Sequence, residues 1–385
     1  MSAMRVERQS TSLLMSRPQS SAWQKFDIQL AFYAIALATI GLLVAWSNSA
    51  GAPLEPGSTF TRGLMWFALA IVAFSVAAAF DYRWLRTFWW LAYALNIALL
   101  VLTLAIGLTI NGAQRWISIG GLTFQAAELS KVLTIGALAA FLAARRDKLG
   151  SVTTLIGAAA LTIPPFLLVL IQPDLGTSLV FLAIMVGALF MSGASLRWMA
   201  VGLGSALVAL PVIWSLLKDY QQQRVLSFLD PTNDVTGAGW QALQSQIAVG
   251  SGGMFGRGLQ NGSQASAAFL PVQSTDFAFA VLLEAMGFVG GLVVLMLFVG
   301  LLWRIALIGW RSETVFGVAF ASGVASMIVF QVLVNAGMVA GMMPVTGIPL
   351  PFITHGGASL ISIAIALGLL QSINMRQEDE LRSFE

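Results

Sequence analysis

Six ionisable side chains lie within long apolar stretches of the sequence or directly beside them. They are Glu128, Lys131, Asp174, Asp276, Glu284 and His355. An ionisable group at membrane depth costs about 3 kcal/mol unless it is paired or faces water, so each one needs a reason. Carboxylates can act as general bases, and cations can stabilise developing negative charge. The set therefore favours a transfer reaction on an anionic, lipid-anchored substrate.

Each of these side chains also has a structural interpretation that involves no chemistry. Glu128 and Lys131 stand three residues apart, so they share one helix face and can neutralise each other. Asp174 and Asp276 stand where they could cap the sixth and the eighth predicted helices. His355 belongs to a glycine-rich turn, where a satisfied interfacial histidine is the common finding. At this point both interpretations stay open for every residue.

Glu284 and one further residue, Arg115, extend the pattern. Glu284 lies about two helical turns beyond Asp276, near the same face, and is harder to explain as a cap. Arg115 lies beside Trp116 in a turn, either as a cation for an anionic ligand or as a snorkelling interfacial side chain. The predicted outer ends of five segments carry these groups: Arg115, Glu128, Lys131, Asp174, Asp276 and His355. Together they favour a polar cavity that opens to the outside of a membrane.

Composition identifies the elements that must hold these side chains. Of the 385 residues, 58% are hydrophobic and 10% are charged, against roughly 45–50% and 25% in soluble proteins. This excludes a disordered, a collagen-like or a disulfide-stapled chain. Cysteine is absent and histidine occurs once, which excludes thiolate metal sites, a cysteine nucleophile and His-rich metal cages. The basic residues are scattered, which argues against a nucleic-acid partner.

Ten apolar runs predict the architecture. They cover residues 28–47, 63–80, 87–108, 132–144, 152–170, 175–193, 196–217, 277–303, 314–343 and 356–375. The fourth is short unless it begins near Ala126 and includes Glu128 and Lys131. Pro164 and Pro165 are expected to kink or break the fifth helix. The fold class is an all-α polytopic membrane protein with about ten transmembrane helices.

The distribution of basic residues orients the chain. An even number of spans places both termini on one side, and the positive-inside rule selects the cytoplasm. With that orientation 14 of the 20 Lys and Arg residues are inside: Arg5, Arg8, Arg17, Lys25, Arg83, Arg86, Arg145, Arg146, Lys148, Arg197, Arg304, Arg311, Arg376 and Arg382. Residues 1–25 and 377–385 are then cytoplasmic tails, the first of them flexible, and residues 26–376 form one membrane domain.

One connection is much longer than the others. Residues 218–275, between the seventh and eighth helices, form an extracellular loop rich in Gly, Gln, Ser and Asn. Within this loop, residues 240–249 are predicted to form an amphipathic or interfacial helix. An external loop of this length is a place where function is expected.

Five motifs, in order, carry a resemblance to a known family. They are NGAQRWI (111–117), ELSK (128–131), QPDLGT (172–177), STDF (274–277) and PFITHGG (351–357). The chain resembles the SEDS family of shape, elongation, division and sporulation proteins, which includes RodA, FtsW and SpoVE, with RodA favoured. The resemblance covers roughly residues 25–375. Departures from the family's pattern fall at Ala126, Ala127, Ser274, Ala285 and His355.

The resemblance implies a peptidoglycan glycosyltransferase in the bacterial cytoplasmic membrane. Its substrate would be lipid II, its released product undecaprenyl diphosphate, and its partner a class B penicillin-binding protein. The family's essential carboxylate falls on Asp276, and the supporting residues fall on Glu128, Lys131 and Asp174. Glycines of spans eight and nine could admit that partner or pack within the bundle: Gly287, Gly290, Gly291, Gly300, Gly317 and Gly323.

A mechanistic hypothesis follows from these assignments. Asp276 accepts the proton of the acceptor sugar's 4-hydroxyl while that oxygen attacks the donor's anomeric carbon, with inversion. Positive charge for the diphosphate comes from Arg115, Lys131 and either Arg224 or Arg257, with or without a divalent cation such as Mg²⁺ or Mn²⁺. Two alternatives stay open: a lipid II flippase or other transporter, and an inactive scaffold that activates a penicillin-binding protein.

Overall fold

The fold is known from a computed structural model. It describes residues 22–47, 49, 53–55, 57–110, 113–119, 122–216, 219–230, 237–259, 276–354 and 356–381. His355, Ser274, residues 1–21 of the N-terminal tail and the loop residues 260–275 therefore lie outside the described residues.

Helices dominate the described part of the chain. In chain order they are α1 (Ile28–Ser47), α2 (Thr59–Ala79), α3 (Tyr82–Thr87), α4 (Trp89–Ile106), α5 (Ala126–Ala144), α6 (Val152–Ile171), α7 (Leu175–Met191), α8 (Leu196–Val208), α9 (Leu210–Leu216), α10 (Asp219–Leu229), α11 (Ala238–Gly252), α12 (Ala278–Arg311), α13 (Val315–Val339) and α14 (Gly357–Leu381). Short 3-10 turns form at Ala22–Lys25 and Arg146–Lys148. The helix predicted over residues 240–249 is confirmed, since these residues lie within α11.

Eight of the described helices are long and apolar enough to cross a membrane: α1, α2, α4, α5, α6, α12, α13 and α14. The polytopic architecture is thereby confirmed. The predicted sixth span, α7, is shorter at 17 residues. The predicted seventh span is divided into two helices: α8 ends after 13 residues, and a separate helix, α9, begins at Leu210.

A small antiparallel sheet is a feature that the hydropathy pattern does not predict. Strands β1 (Leu108–Ile110), β2 (Ala113–Ile119) and β3 (Leu122–Gln125) pair in chain order. Trp116 faces Gln125 and Ile119 faces Leu122 in the β2–β3 register. The last strand ends at Gln125 and α5 begins at the next residue, Ala126. The fourth predicted span is therefore the longer one, which includes Glu128 and Lys131. The sheet fixes Arg115 on β2 beside the first turn of α5.

α5 and α14 are the most buried spans, and the others pack around them. α5 contacts α4, α6, α7, α13 and α14, while α14 lies along α2 and α13 lies along α7 and α12. By contrast, α8 has no buried residue. Tight crossings depend on small residues: a Cβ on Gly300 would lie 2.5 Å from the ring of Tyr33, and one on Gly323 would lie 3.0 Å from Ile135.

The interrupted helix is not the one that the prolines predicted. α6 continues through Pro164 and Pro165, whereas α12 breaks at Gly287, with φ 69° and ψ −171°. The backbone groups freed there bind the turn that follows α11. The Phe288 N–H donates to Gly253 O at 2.9 Å, and the Gly258 N–H donates to Ala285 O at 3.0 Å. The long loop is thus joined to α12 by main-chain hydrogen bonds.

Candidate active site

Four of the polar residues predicted from the sequence lie at the end of the bundle that carries α10 and α11, called here the loop end: Arg115, Asp174, Arg224 and Asp276. The centre of the loop end is the segment 344–350, which connects α13 to the turn before α14 and has no regular secondary structure. Gly347 in this segment has φ +75°, a conformation that glycine adopts without strain. This glycine brings two of the predicted site residues together.

Asp276 and Arg224 both lie against Gly347. A Cβ built on that glycine would be 3.4 Å from Asp276 Oδ2 and 3.9 Å from Arg224 Nη1. Asp276 is half-buried and stands immediately before α12, whose N-cap position is Phe277 with no capping side chain. A carboxylate and a guanidinium share one small backbone surface at the loop end.

Open space adjoins Arg224 on two sides. One small cavity lies between Arg224, Gln221, Pro173, Leu175 and the start of the 344–350 segment. A second lies between Arg224, Phe228, Gln246 and Met343. Arg224 belongs to α10, so a helix of the long loop supplies a cation to the membrane domain.

Asp174 caps α7 and receives three contacts. Its Oδ1 accepts a hydrogen bond from the Thr177 N–H at 3.1 Å. Its Oδ2 accepts from Gln125 Nε2 at 3.3 Å and lies 3.5 Å from Arg115 Nη1. The predicted cap is confirmed. The side chain is nearly inaccessible, which favours a positioning role for Asp174.

Arg115 is occupied by protein acceptors. Its Nε donates to Gln172 O at 3.0 Å, and its Nη2 donates to Pro173 O. Arg115 therefore holds the turn that presents Asp174. The first turn of α7 also packs against the 344–350 segment, since a Cβ on Gly176 would lie 2.6 Å from Thr346 O.

Glu128 and Lys131 form the ion pair that their spacing predicts. Lys131 Nζ lies 2.8 Å from Glu128 Oε1, and each side chain is 1% exposed. Glu128 Oε2 has no hydrogen-bond partner among the residues that the structure describes. The pair lies within the bundle at the start of α5. Lys131 is thus neutralised locally and does not border the two cavities beside Arg224.

Glu284 has different neighbours from Asp276. It is buried, and Ser251 Oγ of α11 stands 3.5 Å from its Oε1. Its carbonyl accepts the Arg257 N–H at 3.0 Å. Glu284 therefore belongs to the junction between α11 and the broken part of α12, whereas Asp276 lies against Gly347. Spacing along one helix does not bring the two carboxylates to the same surface.

The described residues do not form a metal centre. Within them, no group of three or more His, Asp or Glu side chains is close enough to hold a metal ion. The described residues thus offer no cluster of ligands for Mg²⁺ or Mn²⁺, and the proposed reaction uses protein side chains alone.

Sequence reasoning missed two residues that organise this site, Gly347 and Asn335. Asn335 of α13 donates through Nδ2 to Asp276 O at 3.0 Å and to Ile348 O at 2.8 Å. The available signal was the run PVTGIPLP at 344–351, in which a glycine lies between prolines just before the last span. Such a run predicts a tight connection, although it does not indicate what that connection contacts.

Comparisons with known proteins cover nearly the whole chain. The family model for FtsW, RodA and SpoVE, described as cell cycle protein, matches residues 28–379. Peptidoglycan glycosyltransferase MrdB of Escherichia coli K12 is 37% identical over 92% of this chain and 96% of its own length.

Solved structures give the same result. One chain of a peptidoglycan synthase complex that coordinates polymerization and crosslinking superposes with a TM-score of 0.78, at 32% identity over 91% of this chain and 98% of that one. The Thermus thermophilus rod shape determining protein RodA gives a TM-score of 0.67, at 28% identity over 92% and 98%.

Proposed function

Because the chain belongs to the FtsW, RodA and SpoVE family of cell cycle proteins, we propose that it is a peptidoglycan glycosyltransferase that polymerises lipid II into glycan strands. The observation that carries the proposal is that Asp276 and Arg224 both lie beside Gly347, and that Arg224 borders open space there. A base and a cation on one surface are what a displacement at an anionic sugar donor needs.

In the proposed reaction Asp276 is the general base. The acceptor's 4-hydroxyl oxygen attacks the anomeric carbon of the donor sugar, and its proton passes to the Asp276 carboxylate. The bond from the anomeric carbon to the diphosphate oxygen breaks with inversion, and undecaprenyl diphosphate leaves with the electron pair. Asp276 has the right chemistry because its half-buried carboxylate reaches the surface at the loop end.

Arg224 is better placed for the diphosphate than Lys131 or Arg115. Lys131 is buried and paired with Glu128, and Arg115 is directed towards Gln172, Pro173 and Asp174. Arg224 borders open space in two cavities. We therefore propose that Arg224 stabilises the negative charge that develops on the leaving diphosphate. The supporting residues, which hold the site in place, are Arg115, Glu128, Lys131 and Asp174.

Polymerisation of purified lipid II tests the function directly. The purified chain, with its transpeptidase partner, is expected to convert lipid II into glycan strands that a gel resolves by length. A flippase would move lipid II across vesicle membranes without forming strands, and an inactive scaffold would do neither. The gathering of Asp276, Arg224, Asp174 and Arg115 at one end of the bundle supports surface chemistry over transport. Absence of strands in the active complex would contradict the proposal.

We place the loop end outside the cytoplasmic membrane and both termini in the cytoplasm. The support is the distribution of arginines at the opposite end of the bundle, including Arg83, Arg145, Arg304 and Arg376, and the positive-inside rule. The supporting role of His355 stays a prediction, because this residue lies outside the described residues.

The partner we propose is a class B penicillin-binding protein, whose single span docks on α12. The glycines of α12 and α13 support close packing within the bundle rather than a contact with this partner. Gly300 against Tyr33 is an example. The outer face of α12 carries an exposed apolar stripe at helical spacing: Phe288, Leu292, Met296, Val299 and Trp303. A single transmembrane helix could pack along such a stripe.

Bulky residues in this stripe are expected to weaken the partner contact. The double variant Met296→Trp, Val299→Trp should reduce the co-purified penicillin-binding protein about tenfold, since a loss of about 1.4 kcal/mol of packing gives that ratio. Val76→Trp on α2, also an exposed apolar position, is the matched control and should co-purify normally. Equal recovery from the double variant and the control would argue against docking on α12.

A further inference from the structure

Asn335 is completely buried near the loop end of α13, and its side-chain amide joins two backbone segments. Nδ2 donates to the carbonyl of Asp276 at 3.0 Å and to the carbonyl of Ile348 at 2.8 Å. A side-chain amide has two N–H donors, so both are used. The two acceptors also fix which way the amide is turned, because a carbonyl can only accept.

The two segments joined by Asn335 are those that define the reactive surface. One carries the Asp276 carboxylate, and the other contains Gly347, against which Oδ2 of that carboxylate rests. Asp276 lies two residues before Ala278, the first residue of α12. The bond from Asn335 supplies an anchor at this position.

The central segment has other supports. The first turn of α7 packs against it at Gly176, where a Cβ would lie only 2.6 Å from Thr346 O. Loss of the Asn335 bonds should therefore shift Asp276 relative to Gly347 without removing the segment from its place. A change of this kind affects the rate of the chemical step more than the fold.

We propose that Asn335 is a positioning residue that holds the Asp276 carboxylate in register with the 344–350 segment. The inference rests on the proposed function, in which Asp276 is the base. Asn335 is buried and touches no substrate, so its effect is on geometry. A displacement of about 1 Å at a catalytic group can cost about 10²-fold in rate.

Two variants test this inference. Asn335→Asp is nearly isosteric and, when ionised, has no donor; Asn335→Leu has similar size and no polar atom. Both are expected to lower kcat for lipid II polymerisation about 10²-fold while KM changes less than about threefold. The thermal unfolding midpoint and partner co-purification identify any variant that has simply failed to fold.

Gln331→Leu is the matched control. Gln331 lies one turn earlier on α13, is equally buried, and its amide has no hydrogen-bond partner among the described residues. This variant should keep the wild-type kcat. A wild-type kcat in folded Asn335→Leu, or a rise in KM with kcat unchanged, would overturn the inference, as would a kcat loss of equal size in Gln331→Leu.

The same experiment separates this inference from the proposed function. If Asp276→Asn is inactive while Asn335→Leu and Asn335→Asp polymerise normally, the positioning role is wrong and the general base stands. If Asp276→Asn is fully active, the base assignment is wrong, and the role of Asn335 falls with it.

Discussion

Asp276→Asn is expected to lower the rate of glycan polymerisation by about 10²–10⁴-fold, the range typical of a lost general base. Asparagine keeps the size of the side chain and its hydrogen-bonding capacity, but it cannot accept the proton of the attacking hydroxyl. The surface beside Gly347 should keep its shape, because asparagine and aspartate have nearly the same size. The measurement is the initial rate of strand formation from purified lipid II.

Asp81→Asn provides the matched control for this substitution. Asp81 caps α3, where its Oδ1 accepts from the Arg83 N–H at 3.0 Å, and asparagine caps helices comparably well. This variant should polymerise lipid II at the wild-type rate. A folded, partner-bound Asp276→Asn protein that also does so would remove Asp276 from the mechanism and make Glu284 or Glu128 the next candidate.

Contacts close in sequence could be predicted from spacing alone. Glu128 and Lys131 pair because residues three apart meet on a helix, and the structure has them 2.8 Å apart. Asp174 caps α7 because an acidic residue before Leu-Gly-Thr presents its oxygen to the third amide. Both depend on local geometry that any helix imposes, so no knowledge of the remaining chain was needed.

Contacts distant in sequence could not be predicted in this way. Asp276, Arg224 and Gly347 come from three separate segments, and the hydropathy of those segments says only that each lies near the end of a span. Their meeting depends on how α10, α12 and α13 pack. The same is true of Asn335, whose position within an apolar span gives no sign that it binds the carbonyls of Asp276 and Ile348.

Helix continuity also differs from the prediction, for a physical reason. Prolines predict interruptions because each removes a donor, yet α6 accommodates Pro164 and Pro165. The real break, at Gly287, depends on a tertiary partner: the turn after α11 supplies main-chain acceptors and donors to the freed groups of α12. A glycine in an apolar helix does not reveal whether such a partner exists.

Arg224→Gln is expected to lower kcat about 10²–10³-fold, the cost of removing one group aimed at developing charge. The effect should be larger on kcat than on KM, because the diphosphate gains negative charge as its bond to the sugar breaks. Arg224→Lys should fall between this variant and wild type, since lysine keeps the charge but loses the planar fork that binds phosphate at two points.

Arg62→Gln makes the same change of charge at an exposed residue on the same predicted face of the membrane, in the first turn of α2. It should leave kcat unaltered. The comparison matters because removing any cation lowers the local concentration of an anionic lipid, an effect that added salt screens. A kcat loss confined to Arg224→Gln and persistent at high salt therefore assigns the leaving-group charge to Arg224. If both variants lose kcat equally and high salt abolishes the loss, Arg224 only attracts the anionic lipid. Arg115 would then be the candidate for binding the diphosphate.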